Sequence, residues 1–381
     1  MVKKTIQIFS IIILMIILIA PVAETQLEFF EPQKLLGYTI DTIKSEITIQ
    51  NWFSGKLQTY IENKFNENLG FRGHMIKAEN QLNFELFREI SSGTRAKIIL
   101  GKNNYLYEKA YIDAFNAVDS IHIEEIEKKV LDLKKLQKKS EQFGAAFVVL
   151  IAPSKASVYP EYIPEKHVLE KNEDTKTNYE HLAQLLGKHH INHFDSHAFL
   201  VEKKETQEYE LFARGGTHWN YYAACLVAED FTIMLERISN KNLVNVSCDS
   251  TAVDNTSVGT DRDLTDLTNL WNDSSIDGRI AHPLFNVKAQ EEEYRPDILF
   301  VGDSFMHTIL AIMEHGPMYK SRELYYYYNT VHSRPENTES TIDRTAINWE
   351  KDVFSKDIIV IEVSETGIPE LGFGFVEDAI K

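Results

Sequence analysis

The sequence predicts a three-layer α/β domain built on a parallel sheet and preceded by an N-terminal membrane-directed helix. Three observations predict it. Short, mostly apolar runs of about five residues recur at 147–151, 298–301 and 358–363, broken only by Glu362. Amphipathic helical segments separate them, as expected of parallel strands covered on both faces. A single long apolar run stands at the extreme N-terminus.

That first run extends from Ile6 to Ala23, interrupted only by Gln7, Ser10 and Pro21, and approaches the length that crosses a bilayer. Its exit, Ala20-Pro21-Val22-Ala23-Glu24, places proline beside any small-residue cut and makes a poor cleavage site. We therefore read residues 1–24 as an uncleaved signal anchor. Lys3 and Lys4 precede the span while Glu24, Glu28 and Glu31 follow it, so the positive-inside bias exports the rest of the chain. Residues 25–95 read as a helical stalk or cap, with Trp52, Phe53, Tyr60, Phe65 and Phe71 spaced among polar residues. Residues 96–381 read as the α/β domain.

Within that domain, Ile98-Ile99-Leu100 and Tyr105-Leu106-Tyr107 flank a Gly/Asn turn and predict a hairpin. Ile123, Ile126, Val130, Leu133 and Leu136 recur at helical spacing, and the helix should end near Gly144. The strand 147–151 is stopped by Pro153. Residues 179–186 predict a second helix ending at Gly187, and 191–194 a short strand. A helix beginning near Asn220, a polar Asp/Thr-rich stretch over 249–273, the strand 298–301, a helix from Ser304 and the strand 358–363 complete the order. Tyr325 to Tyr328 read as one further strand, with core packing for at least one pair.

With 43% apolar and 25% charged residues, the chain has the composition of a globular protein. Its formal net charge of −17, without a local basic patch, argues against nucleic-acid binding. Cys225 falls in a predicted packed helix and is expected to be a small buried hydrophobe unpaired with Cys248. His189, His190, His193 and His197 gather around Asp195, but a helix end and a strand start between them argue against a zinc site. No metal is expected.

The chemistry is expected where a strand ends in Val301-Gly302-Asp303-Ser304 and Ser304 opens a helix. That position exposes a hydroxyl at the carboxyl edge of a parallel sheet, and the helix N-terminus favours a developing oxyanion. Gly302 removes side-chain bulk at the turn. A plain helix cap from Asp303 or Ser304 explains the same residues equally well. The second motif, Arg214-Gly215-Gly216-Thr217-His218-Trp219-Asn220, puts a histidine on a glycine-rich loop, where His218 could serve as general base or simply be a hydrogen-bonded loop residue.

The pair of motifs resembles the SGNH-hydrolase-like domain of the alginate O-acetyltransferase family. The resemblance takes in Trp52-Phe53-Ser54-Gly55, Gly70-Phe71-Arg72, the hairpin 101–107, Ala152-Pro153-Ser154-Lys155, Val158-Tyr159-Pro160, Arg262-Asp263-Leu264 and Ile361-Glu362-Val363-Ser364-Glu365. It implies Ser304 as nucleophile and His218 as base, with Thr217 and Trp219 lining the site and Lys155 bordering it near an anionic substrate. In the family pattern an aspartate two residues before the histidine orients it, and here that position is Gly216. Asp195, Asp303, Glu362 and Glu365 are the candidate substitutes. A Ser-His dyad oriented by Thr217 or a backbone carbonyl, and a degenerate site, are the other readings. The implied activity is an extracytoplasmic, single-pass membrane O-acetyltransferase acting on a cell-envelope or secreted polysaccharide, supplied by a multispanning membrane-bound O-acyltransferase (MBOAT-type) partner and requiring no bound cofactor. An acetylesterase using the same pair, or an inert polysaccharide-binding subunit, are the alternatives.

Overall fold

The alternation of apolar residues along each central strand produces two cores, one on each face of a sheet. The computed structural model describes residues 2–37, 45–90, 97–170, 172, 175–276, 278–287 and 289–381. The strands in chain order are β1 (Ile98–Leu100), β2 (Leu106–Glu108), β3 (Ala146–Ala152), β4 (His193–Asp195), β5 (Val246–Asp254), β6 (Ile280–Val287), β7 (Asp297–Gly302), β8 (Ser321–Tyr326), β9 (Thr330–Arg334), β10 (Thr338–Thr341) and β11 (Ile358–Ser364). Seven of them form one sheet in the order β10-β9-β8-β7-β11-β3-β4. The five strands from β8 to β4 run parallel, whereas β9 and β10 return antiparallel at one edge.

Side chains at alternate positions leave opposite faces of a strand. Val148, Leu150, Ile298, Phe300, Ile358 and Val360 accordingly join the core under the helices Tyr221–Ser239 and Phe305–Met313. Phe147, Val149, Ile151, Leu299, Val301, Ile359 and Ile361 join the opposite core, under the helices Ile123–Gln142 and Asn178–Lys188. The result is the three-layer α/β domain the sequence predicts, with a mixed, mostly parallel sheet. The register sets Val301 of β7 beside Ile361 of β11, which brings Gly302 and Glu362 together at the carboxyl edge.

Several sequence expectations change. The Asn178–Lys188 helix runs through Gly187 rather than ending there. The polar stretch contains part of β5, which pairs antiparallel with β6. Only Tyr325 and Tyr326 belong to β8; Tyr327 and Tyr328 have left-handed backbone, at φ 48 and 51. Cys225 and Cys248 are joined by a disulfide, with Cα atoms 6.1 Å apart. The buried helix face that suggested a free thiol is the face on which β5 lies, so the second cysteine arrives through the strand that the sequence pattern concealed.

The chain divides into two compact units. Residues 1–98 with 265–274 form the first, and 99–264 with 275–381 the second. The expected boundary at 95/96 lies outside the described residues, as do 38–44 of the expected stalk. In the first unit the helix Val2–Leu27 carries a segment, Lys4–Leu27, of mean hydropathy 2.8, long and apolar enough to cross a membrane. Shorter helices follow at Ile49–Phe53, Lys56–Asn68 and Arg72–Phe87, and the buried Asn80 side chain donates to the Thr268 carbonyl.

Candidate active site

Ser304 stands directly beyond β7, at the start of the Phe305–Met313 helix. The capping is done by its neighbour: Asp303 Oδ1 accepts the Phe305 amide at 2.9 Å, and Ser304 makes no side-chain cap. The cap reading of this turn therefore holds for Asp303, and the Ser304 hydroxyl is left for another partner. Gly302 is required at the turn, because a Cβ there would meet Glu362 Oε2 at 2.5 Å and Met306 Cγ at 2.9 Å. Glu362 is completely buried, and its Oε2 accepts the Asp303 amide at 2.8 Å. Burial first, then the nearby Asp303 carboxylate, push the Glu362 pKa well above the ordinary carboxylate range, so it holds this turn as a neutral acid.

His218 reaches Ser304 from the loop closed by the Phe212–Trp219 bridge, just before the Tyr221–Ser239 helix. Trp219 anchors the loop, being fully buried, packed edge-on to Phe305 at 5.5 Å and donating its indole N–H to the Phe305 carbonyl. Asn220 caps the following helix by accepting the Ala223 amide. His218 Nε2 lies 2.8 Å from Ser304 Oγ, and His218 Nδ1 lies 2.7 Å from Asp263 Oδ2. The other Asp263 oxygen accepts the Thr217 amide at 2.7 Å. With Asp263 ionised, Nδ1 carries the proton and Nε2 is free to accept that of the serine.

Asp263 is the residue that sequence reasoning missed as an acid. It sits 45 positions beyond His218, so no local spacing rule reaches it. Gly216 explains the exchange: a Cβ there would meet the Thr260 carbonyl oxygen at 2.7 Å and that of Asp261 at 3.1 Å. The segment carrying Asp263 packs over the glycine, with the Leu264 amide bonded to the Gly215 carbonyl. The space an acidic side chain at 216 would need is occupied by the backbone that delivers Asp263. The only signal in the sequence was the family-like string Arg262-Asp263-Leu264.

None of the four expected acids meets His218. Asp195 caps the Ser196–Lys204 helix through Ala198 and accepts the Tyr179 hydroxyl. Asp303 and Glu362 serve the turn just described. Glu365 accepts the Ser154 amide and the Ser154 and Ser157 hydroxyls, and pairs with His197 Nδ1. The pairing with Glu365 also draws His197 away from the neighbouring histidines, while His189 faces Glu127. Among the described residues no three His, Cys, Asp or Glu side chains converge as a metal set.

Lys155 corrects a further expectation. It does not face an open anion site; it is 3% exposed, and its ammonium donates to the carbonyls of Ala213, Arg214 and Gly216. The faces of Tyr107 and Tyr105 lie 5.5 and 5.9 Å away. Burial pushes its pKa down to about 7 against the pull of Asp263, Glu210 and Glu108. Lys155 therefore fastens the underside of the loop that presents His218. Glu108, whose pKa burial raises, lies beside Thr217 on the same loop. The Tyr327 phenol lies near the Ser304 hydroxyl and the Asp303 carboxylate.

The sheet edge, the strand-turn-helix and the Ser304–His218–Asp263 row define an α/β domain of the SGNH-hydrolase-like class. Residues 98–308, which hold all three side chains, match the family described as SGNH hydrolase-like domain, acetyltransferase AlgX, and the chain belongs to that family. Among solved structures it is similar to the O-acetyltransferase domain of Pseudomonas putida AlgJ, at 16% identity and TM-score 0.48 over 75% of this chain and 99% of that one. Pseudomonas aeruginosa AlgX is similar at 13% identity and TM-score 0.44, over 74% of this chain and 67% of that one. Bacillus cereus PatB1 with a sulfonyl adduct is similar at 9% identity and TM-score 0.44, over 71% and 97%. No curated protein matches the chain.

Proposed function

We propose that the protein is a membrane-anchored, extracytoplasmic O-acetyltransferase that passes an acetyl group through Ser304 to hydroxyls of a cell-envelope or secreted polysaccharide. The observation that carries this reading is the unbroken row Ser304 Oγ, His218 Nε2, His218 Nδ1, Asp263 Oδ2, with links of 2.8 and 2.7 Å. Ser304 Oγ attacks the acetyl carbonyl carbon while its proton passes to His218 Nε2. The leaving group departs with that proton, and acetyl-Ser304 remains. An acceptor hydroxyl then gives its proton to Nε2, attacks the ester, and Ser304 leaves by taking the proton back. Asp263 holds the imidazole in the tautomer that both halves need and stabilises the imidazolium. The start of the Phe305–Met313 helix favours the oxyanion.

The inert-subunit alternative rested on the missing acid at Gly216, and Asp263 removes that support. The Lys4–Leu27 helix supports the anchor, and export follows from the lysines before it. Free acetyl-CoA is not expected outside the cytoplasm, and the family resemblance implies a membrane-embedded acyltransferase partner as the source of the acetyl group. The test is to incubate the full-length chain in detergent with p-nitrophenyl acetate and map acetylated peptides by mass. Acetyl on Ser304, absent in Ser304→Ala, supports the reading; acetylation confined to other residues overturns it.

A further inference from the structure

Large aromatic side chains left open to water are not spread over the molecule. Among the described residues, every Phe or Trp that is more than half exposed belongs to the first unit. Phe29 and Phe30 follow the apolar helix, Trp52 and Phe53 close the Ile49–Phe53 helix, and Phe65 stands one turn beyond Ile61 on the Lys56–Asn68 helix. Single exposed apolar residues are ordinary, whereas several large ones in one short segment mark a surface that something apolar covers. The local packing says where that surface lies. A bilayer takes about 20 residues of helix, so a span entered at Ile6 leaves the hydrocarbon near Thr25. The Gly70 amide donates to Thr25 Oγ1 at 2.9 Å, and a Cβ on Gly70 would meet the Pro21 carbonyl oxygen at 2.6 Å and Glu24 Cβ at 2.5 Å. Gly73 is covered in the same way, by the Gln33 carbonyl oxygen 2.5 Å from where its Cβ would stand. Between them the Phe71 ring packs on Phe30, with centroids 5.4 Å apart. The corner joining the Lys56–Asn68 and Arg72–Phe87 helices is therefore fastened to the exit of the apolar helix.

We propose that the Ile49–Phe53 and Lys56–Asn68 helices lie on the outer surface of the bilayer, with Trp52, Phe53, Ile61 and Phe65 inserted among the headgroups and upper acyl chains. The inference rests on the membrane-anchor reading above and adds a second attachment, made by a segment that does not cross. Lipid is the occupant because the corner is bolted to the helix at the depth where headgroups already surround it. Ile61 and Phe65, four residues apart, share one helix face, which is how an amphipathic helix enters an interface. Indole suits the same depth, since its ring leaves water while its N–H stays with the headgroups. Charge points to no other partner: residues 45–90 carry five Lys and Arg against six Glu, so neither an acidic nor a basic surface is favoured. The attachment is thus by insertion, and salt does not release it.

The test reconstitutes the full-length chain in phosphatidylcholine vesicles at fewer than one chain per vesicle, which leaves no second copy or other protein to cover the rings. When half of the lipid carries bromine on its acyl chains, tryptophan emission of the parent is quenched, and Trp52→Phe removes at least half of that quenching. The remaining tryptophans are common to both chains and cancel. Phe53→Ser combined with Phe65→Ser, which keeps Trp52 but removes its neighbours' insertion, lowers the quenching at least twofold. Molar salt leaves it unchanged. Bromolipid quenching that is equal in Trp52→Phe and the parent overturns the proposal, whether iodide in the water reaches Trp52 or is screened from it. So does quenching that molar salt abolishes. A chain that does not float with the vesicles at all overturns the anchor reading instead.

Discussion

At the scale of single residues, the site turns on two positions where a side chain is excluded or neutralised. Gly216 must lack a Cβ because the Thr260 carbonyl oxygen lies 2.7 Å from where one would be, and a backbone atom cannot swing aside. Gly216→Ala should therefore displace the Asp263 segment and lower Ser304 acylation by about ten- to a hundredfold, read by the p-nitrophenol burst. Restoring the family pattern with Gly216→Asp should fare no better, for the same steric reason. Glu362 makes a separate prediction through its raised pKa. Its folded form keeps the proton above the ordinary 4.5, so its contribution to stability is full below that pH and is lost as pH rises towards the folded value. Glu362→Gln keeps a neutral acceptor for the Asp303 amide and removes this slope. In denaturant titrations the variant should gain on the parent as pH rises from 5 to 8; a parent that gains on the variant contradicts the neutral-acid assignment. Ser304 and His218 were legible because strand-turn-helix and glycine-loop patterns are local. Asp263 was not, because the sequence places it in a polar stretch and only the fold brings that stretch over Gly216.

At the scale of elements, the His218 loop depends on a cation beneath it. Lys155→Met removes the ammonium that binds three loop carbonyls, and should lower acylation about tenfold by loosening His218, while a change in KM for the ester stays smaller than that in kcat. The stability readout has a defined sign. With the folded pKa near 7 and the ordinary value at 10.5, the unfolded chain binds more protons between them, so burying Lys155 weighs most below pH 7 and is relieved as pH rises. The parent should gain stability on Lys155→Met from pH 7 to 9. The disulfide is a second element-scale device, since Cys225–Cys248 ties the Tyr221–Ser239 helix to β5 across a separation of 23 residues. Closing a loop of that size contributes roughly 3 kcal/mol, so Cys248→Ala should lower the denaturation midpoint even without reductant. The central strands were readable because they are continuous apolar runs buried on both faces. The strand β5 and the edge strand β10 were not: the one runs into the polar stretch 249–273, and the other, Thr338–Thr341, is exposed throughout and carries no apolar signal.

At the scale of the whole molecule, an apolar helix with lysines before it and acidic residues after it precedes an α/β domain whose Ser304 edge is built from β7, β11 and the loops beyond them. The two-faced core follows from strand alternation alone, which is why the layer count was readable before any contact was known. The chain should remain with membranes through a high-salt wash and be released by detergent; release by salt contradicts the anchor. The central claim is that Asp263, rather than a residue beside His218, completes the machinery that makes Ser304 a nucleophile. The most direct test compares pre-steady-state acylation of Ser304 in the parent and in Asp263→Asn, at pH 7 and in the same detergent. An asparagine keeps the shape but favours the wrong imidazole tautomer, so the acylation rate should fall on the order of a thousand- to ten-thousandfold, with acetyl still mapping to Ser304. An Asp263→Asn variant that acylates at the rate of the parent would contradict the account.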